Sequence, residues 1–359
     1  DKEIEMSWMK EYVEKSDCGL TVLQTSGDAV KTILFCEEQF LKGKNVRPQF
    51  PGRNVGMMFG LESSLHPFIG HPSYREIADL PLAERVKIMS DPVFKEKLLN
   101  EKPNFASEIE KSTNEQGSAK SKEEIQEAAS LGQKLISNYE TQFILGDPPN
   151  YEPGKEDSIA ALAETKGVSE LEVIYDEFLK NGGTNLVYAC FTPYDNHKLD
   201  FVERAYSLKS SVAGGSDGGA HCGLICDASM PTTNLSHWAR DREAGKKIPI
   251  ELIVRKQTKD TAETYGLFDR GEIKTGMIAD LNIIDFENLN VTHPKMVYDL
   301  PMGGRRLIQN SFGYLATVKS GEVVYESGEA TGVLPGKLIR GKQTCEVKAE
   351  KEKIPFVDR

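Results

Sequence analysis

The sequence lacks several features that define whole classes of protein. Its 359 residues contain no run of 18 apolar residues, so we expect no membrane span. No basic segment followed by an apolar stretch opens the chain, which predicts no signal peptide and a cytoplasmic location, although the first residue is Asp1 and upstream sequence is expected. Acidic residues outnumber basic ones by 55 to 44, which argues against binding to nucleic acid.

Cysteine is scarce as well. Most of the six cysteines are scattered among apolar residues, as expected of reduced thiols in a cytosolic core. Cys222 and Cys226 have a spacing that suits a metal, but no second Cys/His pair lies at zinc-site spacing. Apolar residues make up 39% and charged residues 28% of the chain, the balance of a soluble globular protein, and the length favours one large and one small domain.

The first fifty residues alternate between helix and strand. Apolar residues at helical spacing predict helices over residues 4–13 and 28–42, and short apolar runs predict strands over 20–24 and 46–50. This order is typical of parallel βαβ units.

Residues 60–150 interrupt the rhythm and are predicted to be a helical insertion, with a capping box at Ser121 and Glu124. The rhythm resumes with two helices, a buried-type strand over residues 186–190 and a strand that ends at Asp217.

After Gly266 the apolar pattern changes from helical spacing to alternation. Residues 314–325 are typical of a β-hairpin, and residues 269–359 are predicted to be a β-sandwich appendage. Residues 1–268 hold about four strand–helix units where a closed (β/α)8 barrel needs eight. The predicted fold class is therefore α/β, the C-terminal half of a TIM-type barrel followed by this appendage.

The glycine-rich segment 214–221 holds the strongest catalytic candidate. It places Asp217 between two pairs of glycines, after small apolar residues that are typical of the end of a buried strand. A carboxylate at such a tip is costly unless it binds a metal, takes a proton or is hydrogen-bonded, and this rim carries the catalytic groups of α/β barrels. The alternative is a turn aspartate that bonds its own backbone.

These residues resemble the amidohydrolase superfamily. The motifs that carry the resemblance are residues 213–221, 235–240, 269–273 and 276–281. Within the superfamily the chain is most similar to the D-aminoacylase branch, the N-acyl-D-amino-acid deacylases. That similarity rests on residues 66–68, 72–75, 80–85, 331–332 and 335–336.

The resemblance implies a barrel with a β-sandwich built from both chain ends, one or two zinc ions at the barrel mouth, and hydrolysis of an amide. Asp217 would then bind metal and act as the base that takes a proton from the attacking water and passes it to the leaving amine. Two features depart from the family pattern. The His-x-His pair of the first barrel strand and the fifth-strand histidine are absent, and Gln24 stands where the sixth-strand histidine is expected. We therefore expect this chain by itself to bind zinc weakly and to hydrolyse nothing.

Four other residues are candidates for binding the substrate. Arg47 and Gln49 lie at the tip of the second predicted strand, where an arginine would bind a substrate carboxylate, unless it is an ordinary surface arginine. His66 either lines a pocket or is a satisfied loop histidine. His221, four residues after Asp217, is a candidate hydrogen-bond donor to substrate.

The sequence therefore predicts a metal-dependent hydrolase of C–N bonds in linear amides, specifically an N-acyl-D-amino-acid deacylase. One alternative is a cyclic amidohydrolase that opens a ring such as a hydantoin. Another is a catalytically silent paralogue that binds a ligand without turnover, which Gln24 favours. The predicted partner is a small-molecule N-acyl amino acid, with no nucleic acid or membrane, and the sequence leaves homo-oligomerisation open.

Overall fold

The computed structural model describes residues 2–16, 18–24, 30–107, 110, 121–216, 218–219 and 221–340. The α-helices are Lys2–Lys15, Val30–Leu41, Pro72–Arg75, Leu82–Met89, Pro92–Leu99, Lys122–Ile136, Ile159–Lys166, Glu170–Phe178, Asp200–Ser207, Met230–Ser236, Ile250–Gln257 and Lys259–Thr264. The strands are β1 (Leu20–Leu23), β2 (Val46–Pro51), β3 (Val55–Phe59), β4 (Gln142–Ile144), β5 (Val187–Thr192), β6 (Val212–Gly214), β7 (Leu281–Ile284), β8 (Asn290–Val291), β9 (Lys295–Leu300), β10 (Gly304–Ile308), β11 (Ser311–Phe312), β12 (Tyr314–Lys319), β13 (Glu322–Glu326) and β14 (Glu329–Ala330).

Strands β1, β2 and β6 form a parallel sheet in the order β1-β2-β6. The predicted alternation of helix and strand over the first fifty residues is confirmed. Val46 of β2 packs with Met9 and Phe35, one from each of the first two helices. The helices cover one face of the sheet, so β2 is almost entirely buried, whereas β1 at the edge alternates between half-buried and exposed residues.

The predicted strand 186–190 is present, but its predicted place is wrong. It forms β5, which lies between β3 and β4 and runs antiparallel to both. Its first four residues are buried, and such an apolar run has the same pattern in a parallel and an antiparallel sheet. The described residues therefore supply three parallel strands rather than the four predicted strand–helix units.

The insertion is mainly helical, as predicted, and also contributes strand β4. Its apolar side chains, such as Phe68, share a core with Phe59 of β3 and Phe178 of the helix Glu170–Phe178. Ser121 and Glu124 make both hydrogen bonds of the predicted capping box. The helices Ile250–Gln257 and Lys259–Thr264 are separated at Thr258, whose backbone leaves the helical region.

The appendage is built from antiparallel strands. The predicted hairpin 314–325 is confirmed as β12 and β13, and Ser320 and Gly321 turn it with φ of 54° and 86°, as a type I′ turn requires. Strands β14, β13, β12 and β7 form one sheet, and β8 with β11 and β9 with β10 form separate pairs. Leu281 and Ile283 of β7 are exposed.

One large core joins the parallel sheet to the appendage. It contains Phe50 of β2, Tyr188 of β5, Trp238, Val291 of β8 and Leu307 of β10. Among the described residues, no helix is both long and apolar enough to cross a membrane.

Candidate functional site

The parallel sheet brings two glutamines to its carboxyl edge. Gln24 directly follows β1, and its backbone N–H donates to the carbonyl oxygen of Gln49 on β2 over 2.7 Å. Two residues after Gln49, Pro51 of β2 pairs with Gly214 of β6. Because carboxyl ends of parallel strands meet at one edge, this is where the predicted site belongs.

The side chain of Gln49 lies against the backbone of β6. A Cβ atom on Gly214 would lie only 1.9 Å from Nε2 of Gln49, so the close approach depends on glycine at that position. Gly215 follows with φ of 79°. Asp217 lies outside the described residues, so its predicted roles as base and metal ligand stay predictions.

His221 is an exposed residue in the turn after this strand. Its φ is 45°, and its carbonyl oxygen accepts hydrogen bonds from the backbone N–H groups of Leu224 at 2.7 Å and Ile225 at 2.9 Å. The backbone of His221 is thus held in place while its imidazole stays open to solvent.

Arg47 is buried and already has protein partners. Its Nε donates to Oδ1 of Asn45 over 3.2 Å, and its guanidinium carbon lies 4.5 Å from the ring centroid of Phe40. The carboxylate of Glu263 is 3.9 Å away. These contacts occupy the guanidinium that was predicted to bind a substrate carboxylate.

His66 lies in the aromatic core of the insertion, apart from the strand ends. Its ring packs edge-on against Tyr74 and Phe178, with centroids 4.7 and 5.9 Å away, and its Nδ1 accepts from the backbone N–H of Phe68. Burial lowers the pKa of His66 to about 3. His66 thus has protein partners for its ring and for Nδ1, and its role in substrate binding stays a prediction.

The described residues do not fit a zinc site. Gln24 is buried, and its Nε2 donates to the carbonyl of Val22 at 3.3 Å. In the described part of the chain we find no group of three or more histidine, cysteine, aspartate or glutamate side chains that could hold a metal ion. Cys222 directs its thiol to the carbonyl of Arg305.

A buried ionic network that the sequence did not predict joins Glu152, His237 and Arg242. Arg242 donates two hydrogen bonds to the carboxylate of Glu152, and His237 approaches the same carboxylate within 2.8 Å. The partners are about 85 to 90 residues apart, so no local pattern could have indicated their contact. The network borders a cavity of about 980 Å3.

Comparison with known proteins identifies one family. Residues 155–325 match the amidohydrolase family (Amidohydro_3), a little under half of the chain. This match confirms, over residues 155–325, the resemblance predicted from the sequence. The matched region includes β5, β6 and most of the appendage strands. No curated protein matches the chain at a significant level.

Solved structures with a similar chain course include a D-aminoacylase, at 16% identity and a TM-score of 0.39, over 88% of this chain and 48% of that one. Another is the N-acyl-D-glutamate deacylase of Bordetella bronchiseptica complexed with zinc and a phosphonate inhibitor, at 14% identity and a TM-score of 0.39, over 89% of this chain and 49% of that one. The chain therefore spans about half the length of the solved structures it matches.

Proposed function

We propose that the chain is part of an amidohydrolase that cleaves the C–N bond of an N-acyl amino acid, with the D enantiomer preferred. The family match over residues 155–325 is the observation that supports this proposal most strongly. The meeting of Gln24, Gln49 and Gly214 at one sheet edge supports it further, because that edge is where α/β barrels place their chemistry.

In the proposed reaction, a water oxygen attacks the acyl carbon and the C–N bond breaks. Asp217 takes a proton from the water and passes it to the leaving amine, so that the products are a carboxylic acid and a free amino acid. Gln49 provides an amide next to the tip of β6 that can donate to the acyl oxygen or accept from the substrate N–H. His221 is proposed to donate to the substrate from the turn beyond β6. Arg47 and His66 remain proposals for substrate binding.

A metal ion has a separate place in the proposal. Zinc would polarise the acyl carbonyl and acidify the water when bound, but the described residues do not form its site. The fold proposed for the whole protein is a TIM-type barrel, with residues 1–268 in its C-terminal half and residues 269–359 in a β-sandwich.

A substrate panel tests the proposed reaction. The whole protein that contains this chain should release free amino acid from N-acetyl-D-amino acids faster than from their L enantiomers. Gln49→Ala should lower kcat/KM at least tenfold, while Gln257→Ala, a glutamine on an outer helix that contacts Pro231, should not. Opening of a hydantoin without deacylation would replace the proposal with a cyclic amidohydrolase.

A catalytically silent binding protein is the second candidate. It is favoured by the buried carboxamide of Gln24, which bonds to its own strand at the position where the family resemblance expects a histidine. Binding of an N-acetyl-D-amino acid without any release of product, at saturating zinc, would establish this candidate.

A further inference from the structure

A cavity with polar and apolar walls lies beside the end of β2, and none of the described candidate residues lines it. It is bordered by Gly52 and Arg53 after β2, by the loop 148–156, and by the end of the helix that follows β6. Neither Gln24 nor Gln49 lines it, and its volume of about 980 Å3 is that of a small-molecule site.

Glu152 is an ionised carboxylate at the wall of this cavity. Arg242 donates to its two oxygens over 3.0 Å each, and the backbone N–H of Leu199 donates over 3.0 Å. Burial raises the pKa of Glu152, but the hydrogen bonds from His237 and Arg242 outweigh it and hold the pKa at about 2. An ionised carboxylate can only accept hydrogen bonds.

The state of Glu152 determines the tautomer of His237. Because Glu152 accepts, Nε2 of His237 must carry the proton in the 2.8 Å hydrogen bond between them. In the neutral ring, Nδ1 then holds a lone pair. No described residue bonds to Nδ1, and the partly exposed ring lines the cavity. When the ring is neutral, the cavity therefore contains a positioned acceptor without a partner among the described residues.

A π-helical turn places this acceptor. Residues His237–Asp241 form the turn directly after the helix Met230–Ser236, and such turns are frequent at functional sites. Trp238 is fully buried within it, and its Nε1 donates to the carbonyl of Gly52 over 2.6 Å. The guanidinium of Arg242 stacks on the Trp238 ring at 4.4 Å. The acceptor is thus held on a rigid frame.

The cavity lining also holds charges of both signs that the protein does not pair. Glu156, Glu243 and Glu287 have no ion-pair partner among the described residues, and neither do Lys155 and Lys198. Nε of Arg53, which also lines the cavity, is a buried donor that makes no hydrogen bond within the described structure. A ligand that carries an ammonium and a carboxylate would match this set.

We propose that this cavity is a second ligand site, which takes a free amino acid with its ammonium group on Nδ1 of His237 and its carboxylate toward Lys155 and Lys198. Gln49 and His221, the described residues of the proposed active site, do not line this cavity, and the proposal does not depend on the proposed hydrolysis.

Calorimetric titration with D- and L-leucine tests the proposal. At least one enantiomer should bind the protein with a Kd in the millimolar range or tighter. N-acetyl-leucine, which lacks the ammonium, and isoamylamine, which lacks the carboxylate, should each bind at least tenfold more weakly. Absence of leucine binding, or equal binding of N-acetyl-leucine, would overturn the proposal.

Matched variants locate the bound amino acid. His237→Gln retains a donor for Glu152 but loses the Nδ1 acceptor, so affinity should fall at least tenfold. His197→Gln, in the same cavity lining and bonded through Nε2 to the carbonyl of Glu140, should stay within twofold of the wild type. Loss of leucine binding in Gln49→Ala would place the ligand at the strand ends and overturn the proposal.

A spectroscopic readout avoids any dependence on variant folding. In the 15N NMR spectrum of the wild-type protein, saturating leucine should shift the Nδ1 resonance of His237 and leave that of His197 in place. An unchanged His237 resonance at saturation would contradict the proposed contact.

Discussion

His66 shows how burial alone changes what a histidine does. The sequence offered it as a candidate for substrate binding, and the structure surrounds it with Tyr74, Phe178 and other aromatic side chains. Its ring is uncharged in the folded protein, because burial lowers its pKa to about 3. The contribution of His66 to stability is therefore complete above its unfolded pKa, near 6.5, and is lost as the pH falls from about 6.5 toward 3.

We predict that His66→Asn removes an acid sensitivity. The amide can still accept from the backbone N–H of Phe68, so the variant is expected to fold, with a lower free energy of unfolding at pH 7.5. Below pH 6 the wild type should lose up to about 1.4 kcal/mol per pH unit more than the variant. Urea titrations between pH 7.5 and 5 measure this. The exposed His221→Asn, at a φ that asparagine tolerates, is the control, and an identical slope in wild type and His66→Asn would contradict the account.

A second prediction concerns Glu152. Its pKa lies below the usual value, so its stabilising effect is present above about pH 4.5 and is lost as the pH falls toward 2. Glu152→Gln should lower the free energy of unfolding at pH 7 by about 3 kcal/mol, because the buried guanidinium of Arg242 loses its main partner. Glu203→Gln removes a more exposed partner of Arg242 and should cost under about 1 kcal/mol. Equal losses in the two variants would refute the central position of Glu152.

Some secondary-structure elements are determined by neighbouring residues in the sequence, and others by the distant segments that they pack against. The hairpin at Ser320 and Gly321 and the capping box at Ser121 depend on neighbouring residues, and both were predicted from the sequence. The strand 187–192 was predicted as a strand, but its apolar run carries no information on whether its neighbours are parallel or antiparallel. The contacts of Glu152 with His237 and Arg242 could not be predicted either, because these residues are 85 and 90 positions away in the sequence.

At this scale we predict opposite effects for two glycine substitutions. A Cβ on Gly56 of β3 would lie 2.2 Å from the carbonyl oxygen of Ala189 on β5, and backbone cannot easily move away. Gly56→Ala should therefore cost about 3 kcal/mol. Gly132→Ala, in the helix Lys122–Ile136 with nothing within 4 Å of the new methyl, should gain about 1 kcal/mol. Thermal denaturation measures both, and a tolerated Gly56→Ala would contradict the pairing of β3 with β5.

The protein exposes apolar side chains at the β1 edge of the parallel sheet. β1 is an edge strand of that sheet within the described residues, and Leu23 at its end is 56% exposed. Nearby helices add the exposed side chains of Trp8 and Leu34. An open strand edge with apolar side chains is a template for association.

We predict that residues 1–359 alone self-associate at micromolar concentration. Leu23→Lys should reduce the association at least severalfold, because a charge on an edge strand opposes pairing. Leu131→Lys, on an exposed helical position remote in sequence from the sheet, should have no such effect. Sedimentation velocity measures this, and a monomeric wild-type chain would show that the edge is covered.

The central claim is that the carboxylate of Asp217 is the base of an amide hydrolase. The direct test is the rate at which the whole protein releases amino acid from an N-acetyl-D-amino acid, compared between wild type, Asp217→Asn and the exposed control Asp176→Asn. The account predicts at least a thousandfold loss of kcat in Asp217→Asn, because an amide cannot accept the proton, and an unchanged rate in the control. Substantial turnover by Asp217→Asn would contradict it.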